Sequence, residues 1–322
     1  MAAPPPPGVY VPVPTFFVSR QASTYSPQAP PLDLETQTRH AIHLAKCGVR
    51  GLVVSGSTGE AIAITNKERS ELLRHVRQQL ENAGYTDYPI IAGTVTQGIE
   101  DTVQQLRDAE AAGARWGLVL APSYFATALT QDGLKDWYVA IAERSPLPIM
   151  VYHYPAVCNN ITIRASTFQS LAAHPNIVGC KLSHGDLSLH TQIASNPRID
   201  SKKFATFTGL GQQLLPVLTV GGAGAIDGLA AIFPRVVCRL WEATLQGGLD
   251  EARSLQEAVC RGEELVVGCG VPGVKEAVSR ILGMGDRDGT RLPLKGGIGD
   301  TEWEKWTEIM EDLRTLEQDL AT

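Results

Sequence analysis

The sequence predicts a (β/α)8 barrel followed by a helical extension. Two observations carry this. Short apolar runs that stop at polar residues alternate with helical segments eight times between Val9 and Leu245, the spacing of strand–helix units around a barrel. Beyond Leu249 the pattern is helical only. A doubly wound open sheet is the alternative for such alternation, but it usually needs fewer units and a nucleotide fingerprint.

Taken in order, residues 1–8 form a proline-rich leader expected to be disordered or extended. Strand one is expected over Val9 to Phe17 despite its prolines, and residues 19–31 read as a long polar loop. Leu34 to Lys46 has helical spacing, Gly48 to Val54 is the second strand, and Asn66 to Leu80 is an amphipathic helix with Asn66 or Thr65 as its N-cap. Strands follow at Pro89 to Thr94 and Trp116 to Ala121, with helices at Glu100 to Ala112 and Gln131 to Glu143. The stretch from Pro148 to Asp186 reads as strand, helix, parallel strand, its helix near Ser166 to Ala173. A helix near Leu187 to Ser195, strand Phe204 to Thr208, helix Gln212 to Thr219, strand Gly224 to Asp227 and helix Ile232 to Leu245 close the series. Residues 1–247 thus form the barrel. Residues 248–322 form a C-terminal subdomain of three helices with a loop over 283–300.

Composition excludes several classes. The 322-residue chain allows one large domain or two ordinary ones, and 43% hydrophobic residues are enough for a full core. A net charge of −6 gives no basis for binding nucleic acid or an anionic membrane, and no apolar run is long enough to cross a bilayer. The leader MAAPPPPG lacks a signal-peptide or Arg-rich transit pattern, so the expected location is cytoplasmic. Six cysteines without paired metal spacing are expected to be reduced and mainly structural.

The chemistry centres on Lys181, inside a strand and flanked by Ile177, Val178 and Leu182. Burial disfavours the ammonium form and lowers the pKa, leaving an amine that can attack a carbonyl carbon and form a Schiff base. In a barrel of this kind the active site lies at the C-terminal ends of the strands. Polar residues collect at those ends: Ser57, Thr58, Tyr124, Tyr152, Ser183 and Asp227. The loop Gly56-Ser57-Thr58-Gly59-Glu60 has glycines that let backbone N–H groups turn towards an anion, with hydroxyls beside them. An anion anchor opposite an amine nucleophile is the pairing a 2-oxo acid requires.

These motifs resemble the dihydrodipicolinate synthase/N-acetylneuraminate lyase family of class I aldolases. The resemblance spans Val9 to the C-terminal helices. It rests on Gly56-Ser57-Thr58-Gly59-Glu60 for the family's G-[ST]-T-G-E loop, Tyr152-x-x-Pro155 for its Tyr-Asn-x-Pro motif, and Lys181 in Gly179-Cys180-Lys181. It implies a carbon–carbon lyase joining or splitting pyruvate and an aldehyde through a Schiff base on Lys181, with no other cofactor and no metal. It implies that Tyr152 shuttles protons, with Thr58 and Tyr124 completing a hydroxyl relay. Tyr124 would reach in from a neighbouring copy, implying at least a dimer and usually a tetramer, a dimer of dimers. Ser57 and Thr58 would hold the carboxylate, and Gly209 and Ile226 would line the pocket by their backbone. Small 2-oxo acids and aldehydes are thus the expected partners, with no nucleic acid and no membrane.

Two departures bear on the substrate. The family motif reads Tyr152-His153-Tyr154-Pro155 here, and Val157 stands where the lysine-biosynthetic synthases carry a carboxylate-gripping arginine. Ser183, His153, His184 and Tyr154 offer hydroxyls and imidazoles on the second-substrate side. A neutral hydroxylated aldehyde is therefore expected, as from a 2-keto-3-deoxy sugar acid, ahead of 4-hydroxy-2-oxoglutarate or dihydrodipicolinate synthesis. The readings from other classes are a catalytically inactive small-acid-binding barrel, and a metal-dependent aldolase drawing on His153, His184 and Asp186.

Overall fold

The computed structural model describes residues 2–321. Eight parallel strands close into a barrel: β1 (Gly8–Pro12), β2 (Gly51–Val54), β3 (Ile90–Thr94), β4 (Trp116–Leu120), β5 (Ile149–His153), β6 (Ile177–Leu182), β7 (Ala205–Thr208) and β8 (Gly224–Ile226). β8 pairs back onto β1, with Gly8 opposite Gly224 and Tyr10 opposite Ile226. Closure removes every sheet edge and forces one face of each strand into a dry interior. The helices between them are α1 (Leu34–Lys46), α2 (Asn66–Asn82), α3 (Ile99–Ala111), α4 (Gln131–Arg144), α5 (Ala165–Ala172), α6 (Leu187–Ala194), α7 (Leu214–Thr219) and α8 (Pro234–Leu245). The expected (β/α)8 barrel is what the chain forms.

Local chemistry sets the helix starts. The Asp33 side chain accepts from Thr36 N to cap α1, and Thr65 with Glu68 forms a reciprocal capping box on α2. Thr130 and Asp186 cap α4 and α6 in the same way.

β1 is shorter than the expected run to Phe17. Val13 N still donates to Val53 O, but Pro14 has no N–H to continue the ladder. Phe17 instead forms an antiparallel bridge with Leu32, closing the base of the 19–31 loop. Residues 2–8 of the leader, expected to be disordered or extended, are docked on the barrel. Pro5 is buried, Tyr10 Oη donates to Pro6 O at 2.9 Å, and Trp116 Nε1 donates to Ala3 O at 2.9 Å. Residues 3–8 run from β4 to β1 across the N-terminal end of the barrel. Proline-rich chain loses little conformational entropy on docking, and two indole and phenol donors suffice to hold it.

The C-terminal segment comprises α9 (Leu249–Leu282), α10 (Asp300–Glu304) and α11 (Thr307–Asp319). α9 is broken at Gly270, whose φ of 58° and ψ of −145° only glycine adopts readily; Pro272 follows. Ala252, Leu255, Val259, Leu265, Met310 and Leu313 pack in one cluster with Leu229, Phe233, Val236 and Leu240 of the barrel.

A buried polar network locks this segment over the barrel mouth. Lys275 Nζ lies 2.6 Å from Glu60 Oε1, both side chains about 2% exposed, and Arg291 N donates to Glu60 Oε2 at 2.8 Å. The Arg291 guanidinium reaches Glu68, Pro30 O and Ala63 O. The Phe17 ring lies under both cations, 4.4 Å from Lys275 Nζ and 4.3 Å from the Arg291 guanidinium. Replacing Lys275 by Met leaves Glu60 buried with a single backbone donor, so Lys275→Met is expected to cost about 3–5 kcal/mol in urea unfolding. Adding Glu60→Gln to that variant is expected to recover part of the loss.

Candidate active site

The C-terminal ends of the strands open into a cavity of about 690 Å³. It is lined by Ser57, Thr58, Tyr152, Lys181, Ser183, Gly209 and Ile226 from the barrel, and by Glu263, Val266, Val271 and Val274 from α9. Strand register places the central pair. Tyr152 of β5 is opposite Lys181 of β6, which is opposite Phe207 of β7. Residues at one level of adjacent parallel strands point to the same side, and here that side is the interior.

Lys181 is 5% exposed, and its Nζ lies 4.7 Å from the centre of the Tyr152 ring. Burial lowers its pKa to about 8, while Asp227 and Glu263 pull it back up. Desolvation therefore wins, and the amine is partly neutral in the physiological range. Cys180, one residue earlier, faces the opposite way and is fully buried, with its thiol hydrogen-bonded to Thr206.

Tyr152 is 4% exposed, and its phenol is pushed up to about 12 by burial, with the Ser57 and Ser183 hydroxyls pulling it down. The hydroxyl of the loop that meets Tyr152 is therefore Ser57, not Thr58. This corrects the relay expected from the sequence; Thr58 lines the cavity without bonding Tyr152. The loop is held in a tense shape, with Ser55 (φ 58°) and Glu60 (φ 51°) both left-handed. Such residues cost on the order of 1 kcal/mol each, and the grip of Lys275 and Arg291 on Glu60 offsets it here. Gly209 is needed because a Cβ there would collide with Ser183 Oγ and lie 2.9 Å from Lys181 Cε.

Tyr124 is 79% exposed, in edge contact with Phe125 on the loop after β4, and is not among the residues lining this chain's own cavity. Its backbone N–H and that of Ser123 donate to Gln97 Oε1 at 3.0 and 2.6 Å. His153 is a second correction. It follows Tyr152 on β5, so alternation turns it outward, where it is buried against Ile161 O, the Phe168 ring and the His184 ring. The His184 ring lies next to the His190 ring, tilted by 57°. Neither His153 nor His184 lines the cavity, and among the described residues no group of three His, Cys, Asp or Glu side chains is arranged to hold a metal ion.

The sequence reading missed the α9 contribution. Glu263 lines the cavity although it sits in what reads as an ordinary charged helix face, and Val266, Val267, Val271 and Val274 join it. The helix-breaking Gly270 and Pro272 inside an apolar run were the available signal. Arg291, also at the cavity wall, spends its guanidinium on Glu68, Pro30 O and Ala63 O. Val157 lies at the mouth, as its motif position implies.

A lysine pKa lowered from 10.5 to about 8 has a linked effect on stability. The folded state binds fewer protons than the unfolded state between those values, so stability rises with pH across that window and the penalty is complete below it. Lys181→Met is expected to stabilise the protein at pH 7, by at most about 3 kcal/mol. The gain should shrink as pH approaches 10 in paired urea titrations.

Comparison with known proteins agrees with the geometry. The sequence profile of the Dihydrodipicolinate synthetase family matches residues 21–313. A protein of Emericella nidulans named "Probable 4-hydroxy-2-oxoglutarate aldolase, mitochondrial" is 35% identical over 281 residues, 87% of each chain. The L-threo-3-deoxy-hexylosonate aldolase of Hypocrea jecorina is 34% identical over 300 residues, 91% of this chain and 92% of that one. The 4-hydroxy-tetrahydrodipicolinate synthase of Methylacidiphilum fumariolicum SolV superposes with a TM-score of 0.84 at 26% identity, covering 98% of this chain and 99% of that one. With a barrel closed around Lys181 and a family match over nearly its whole length, the chain belongs to the dihydrodipicolinate synthetase family.

Proposed function

We propose that this protein is a Schiff-base aldolase that splits a 2-keto-3-deoxy sugar acid into pyruvate and a neutral hydroxylated aldehyde, or runs the reverse. The observation that carries the reading is the buried amine of Lys181 in a cavity at the barrel mouth, with the Tyr152 ring 4.7 Å away.

In this mechanism the Lys181 amine adds to the C2 ketone of the substrate, and loss of water gives an iminium. The C3–C4 bond then breaks, its electron pair moving into the iminium to form an enamine, while the C4 hydroxyl gives its proton to the Tyr152 oxygen. A phenol with a pKa near 12 stays protonated at neutral pH, so Tyr152 must pass its own proton on as it receives this one. The Ser57 and Ser183 hydroxyls beside it are the groups that can carry it. The aldehyde leaves, C3 of the enamine takes a proton, and water releases pyruvate from Lys181. Ser57, Thr58 and the turned backbone of their loop suit the substrate carboxylate. Gly209 and Ile226 supply walls, and no organic cofactor or metal enters any step.

The choice of aldehyde rests on charge. The cations lining the cavity are Lys181 and Arg291. Arg291 is committed to Glu68, Pro30 O and Ala63 O, and Val157 offers no charge at the mouth. A second carboxylate would therefore find no partner, which weighs against aspartate semialdehyde and glyoxylate. The name of the Hypocrea relative supports the sugar-acid reading. That of the Emericella relative supports 4-hydroxy-2-oxoglutarate as the second reading.

We further propose a homo-oligomer, a dimer of dimers, in which the exposed Tyr124 and Phe125 enter a neighbouring copy and Tyr124 completes the relay. The compartment we propose is the cytoplasm, against the mitochondrial location in the Emericella name. Among the described residues no helix is long and apolar enough to cross a membrane.

Pyruvate with borohydride is expected to reduce a pyruvyl imine onto Lys181, read by peptide mass, and Lys181→Met is expected to give no adduct. In the aldol direction glyceraldehyde is expected to exceed glyoxylate and aspartate semialdehyde by about tenfold or more in kcat/KM. A glyoxylate preference would transfer the assignment to 4-hydroxy-2-oxoglutarate, and no adduct on folded protein would end the Schiff-base reading.

A further inference from the structure

An acidic pair beside the cavity is left unused by the mechanism above. Asp227, at the end of β8, is fully buried. Its Oδ1 accepts from Gly211 N at 2.9 Å and its Oδ2 from Ala230 N at 3.0 Å. Glu263, on α9, is 1% exposed and lines the cavity. Its Oε1 accepts from Leu229 N at 3.1 Å, and its Oε2 is buried without a hydrogen-bond partner of ordinary geometry among the described residues. Both carboxyls are acidic neighbours of Lys181.

Two, one or no charges on this pair give different enzymes. Two carboxylates in a dry site would repel each other and hold Lys181 as an ammonium ion, which cannot attack a carbonyl. With no charge, the iminium would sit in a low-dielectric pocket without a counter-ion. One charge leaves the amine accessible and still balances the cation. The hydrogen bonds decide which member carries it. Asp227 accepts two backbone N–H groups and Glu263 one, and each such donor favours the ionised form.

We propose that Glu263 is a positioning residue for Lys181: it holds one proton against Asp227, so that the pair sets a single negative charge beside the amine and the iminium. Burial and the neighbouring Asp227 both push the Glu263 carboxyl well above the usual range, in agreement. The other titratable groups facing this pair are Tyr154 beyond β5, which faces Glu263, and Cys238 of α8, which faces Asp227; burial raises both, so neither adds charge at neutral pH.

The proposal builds on the Lys181 reading, but its first test needs no substrate. Infrared difference spectroscopy of the unliganded protein at pH 7, wild type minus Glu263→Gln, is expected to show the carbonyl band of a protonated carboxylic acid. Absence of that band overturns the proposal whether or not Lys181 forms an imine. The second test is the pH profile of imine trapping with pyruvate and borohydride. Glu263→Gln keeps a neutral donor and is expected to hold the rate within about threefold and the midpoint unchanged. A midpoint moved to lower pH would mean that a negative charge had been removed, and would overturn the proposal. Glu263→Leu leaves the Asp227 charge unbridged, so it is expected to move the midpoint to higher pH and slow trapping about tenfold or more. A wild-type profile in Glu263→Leu would also overturn it. Should the leucine variant fail to fold, the infrared band and the glutamine profile still decide.

Discussion

The structure depends on keeping one amine dry. Eight strands close so that residues at one level face a common interior, and Lys181 is placed there with Tyr152 on one side and Phe207 on the other. Water would solvate the ammonium ion and restore an ordinary lysine. Its exclusion tilts the equilibrium towards the neutral amine. The same exclusion makes every nearby polar atom consequential. It explains why Ser57, Ser183, Asp227 and Glu263 are all bonded or paired around a small volume, and why Gly209 leaves space for the lysine side chain. Such a site runs against stability, a conflict characteristic of functional residues.

The second tier of the architecture works at the mouth. Glu60 ends the loop that carries Ser57 and Thr58 in a left-handed conformation, and Lys275 and Arg291 hold it there. This arrangement does two things with one set of charges. It fixes the loop that carries Ser57 and Thr58, and it removes Arg291 from the pool of cations available to a substrate. The 19–31 loop takes part through Pro30 O and through Arg20, which pairs with Asp288 at 2.9 Å. It belongs to the scaffold around the site and contributes no residue to the cavity wall.

Much of this was readable in the sequence because barrel strands and helices are set by local patterns. The period of apolar runs, the Thr65 cap and the lysine inside an apolar strand are properties of neighbouring residues. Side-chain direction was readable only where alternation could be anchored. Alternation from Lys181 turns Cys180 away from the cavity, and alternation from Tyr152 turns His153 outward against Phe168. The choice between Ser57 and Thr58 depends on loop geometry set by Ser55 and Glu60, two non-glycine residues at positive φ that no pattern announces. Glu263 and Arg291 were missed for another reason. Their roles arise from contacts across the fold, and a charged residue in an amphipathic helix looks the same whether it meets water or a cavity. The docking of the leader likewise depends on Trp116 and Tyr10, far from it in pattern if not in space.

The separation between Glu60 and Lys275 has a consequence for how the chain is made. The two are 215 residues apart, and Arg291 lies 231 residues beyond Glu60. A ribosome delivers the loop carboxylate long before either cation. Until α9 emerges, a buried Glu60 would be an unpaired charge, so the nascent loop has reason to stay solvated. Glu263 arrives equally late. The barrel can wind from its amino end, but the cavity around Lys181 acquires its α9 wall only when the last quarter of the polypeptide is in place.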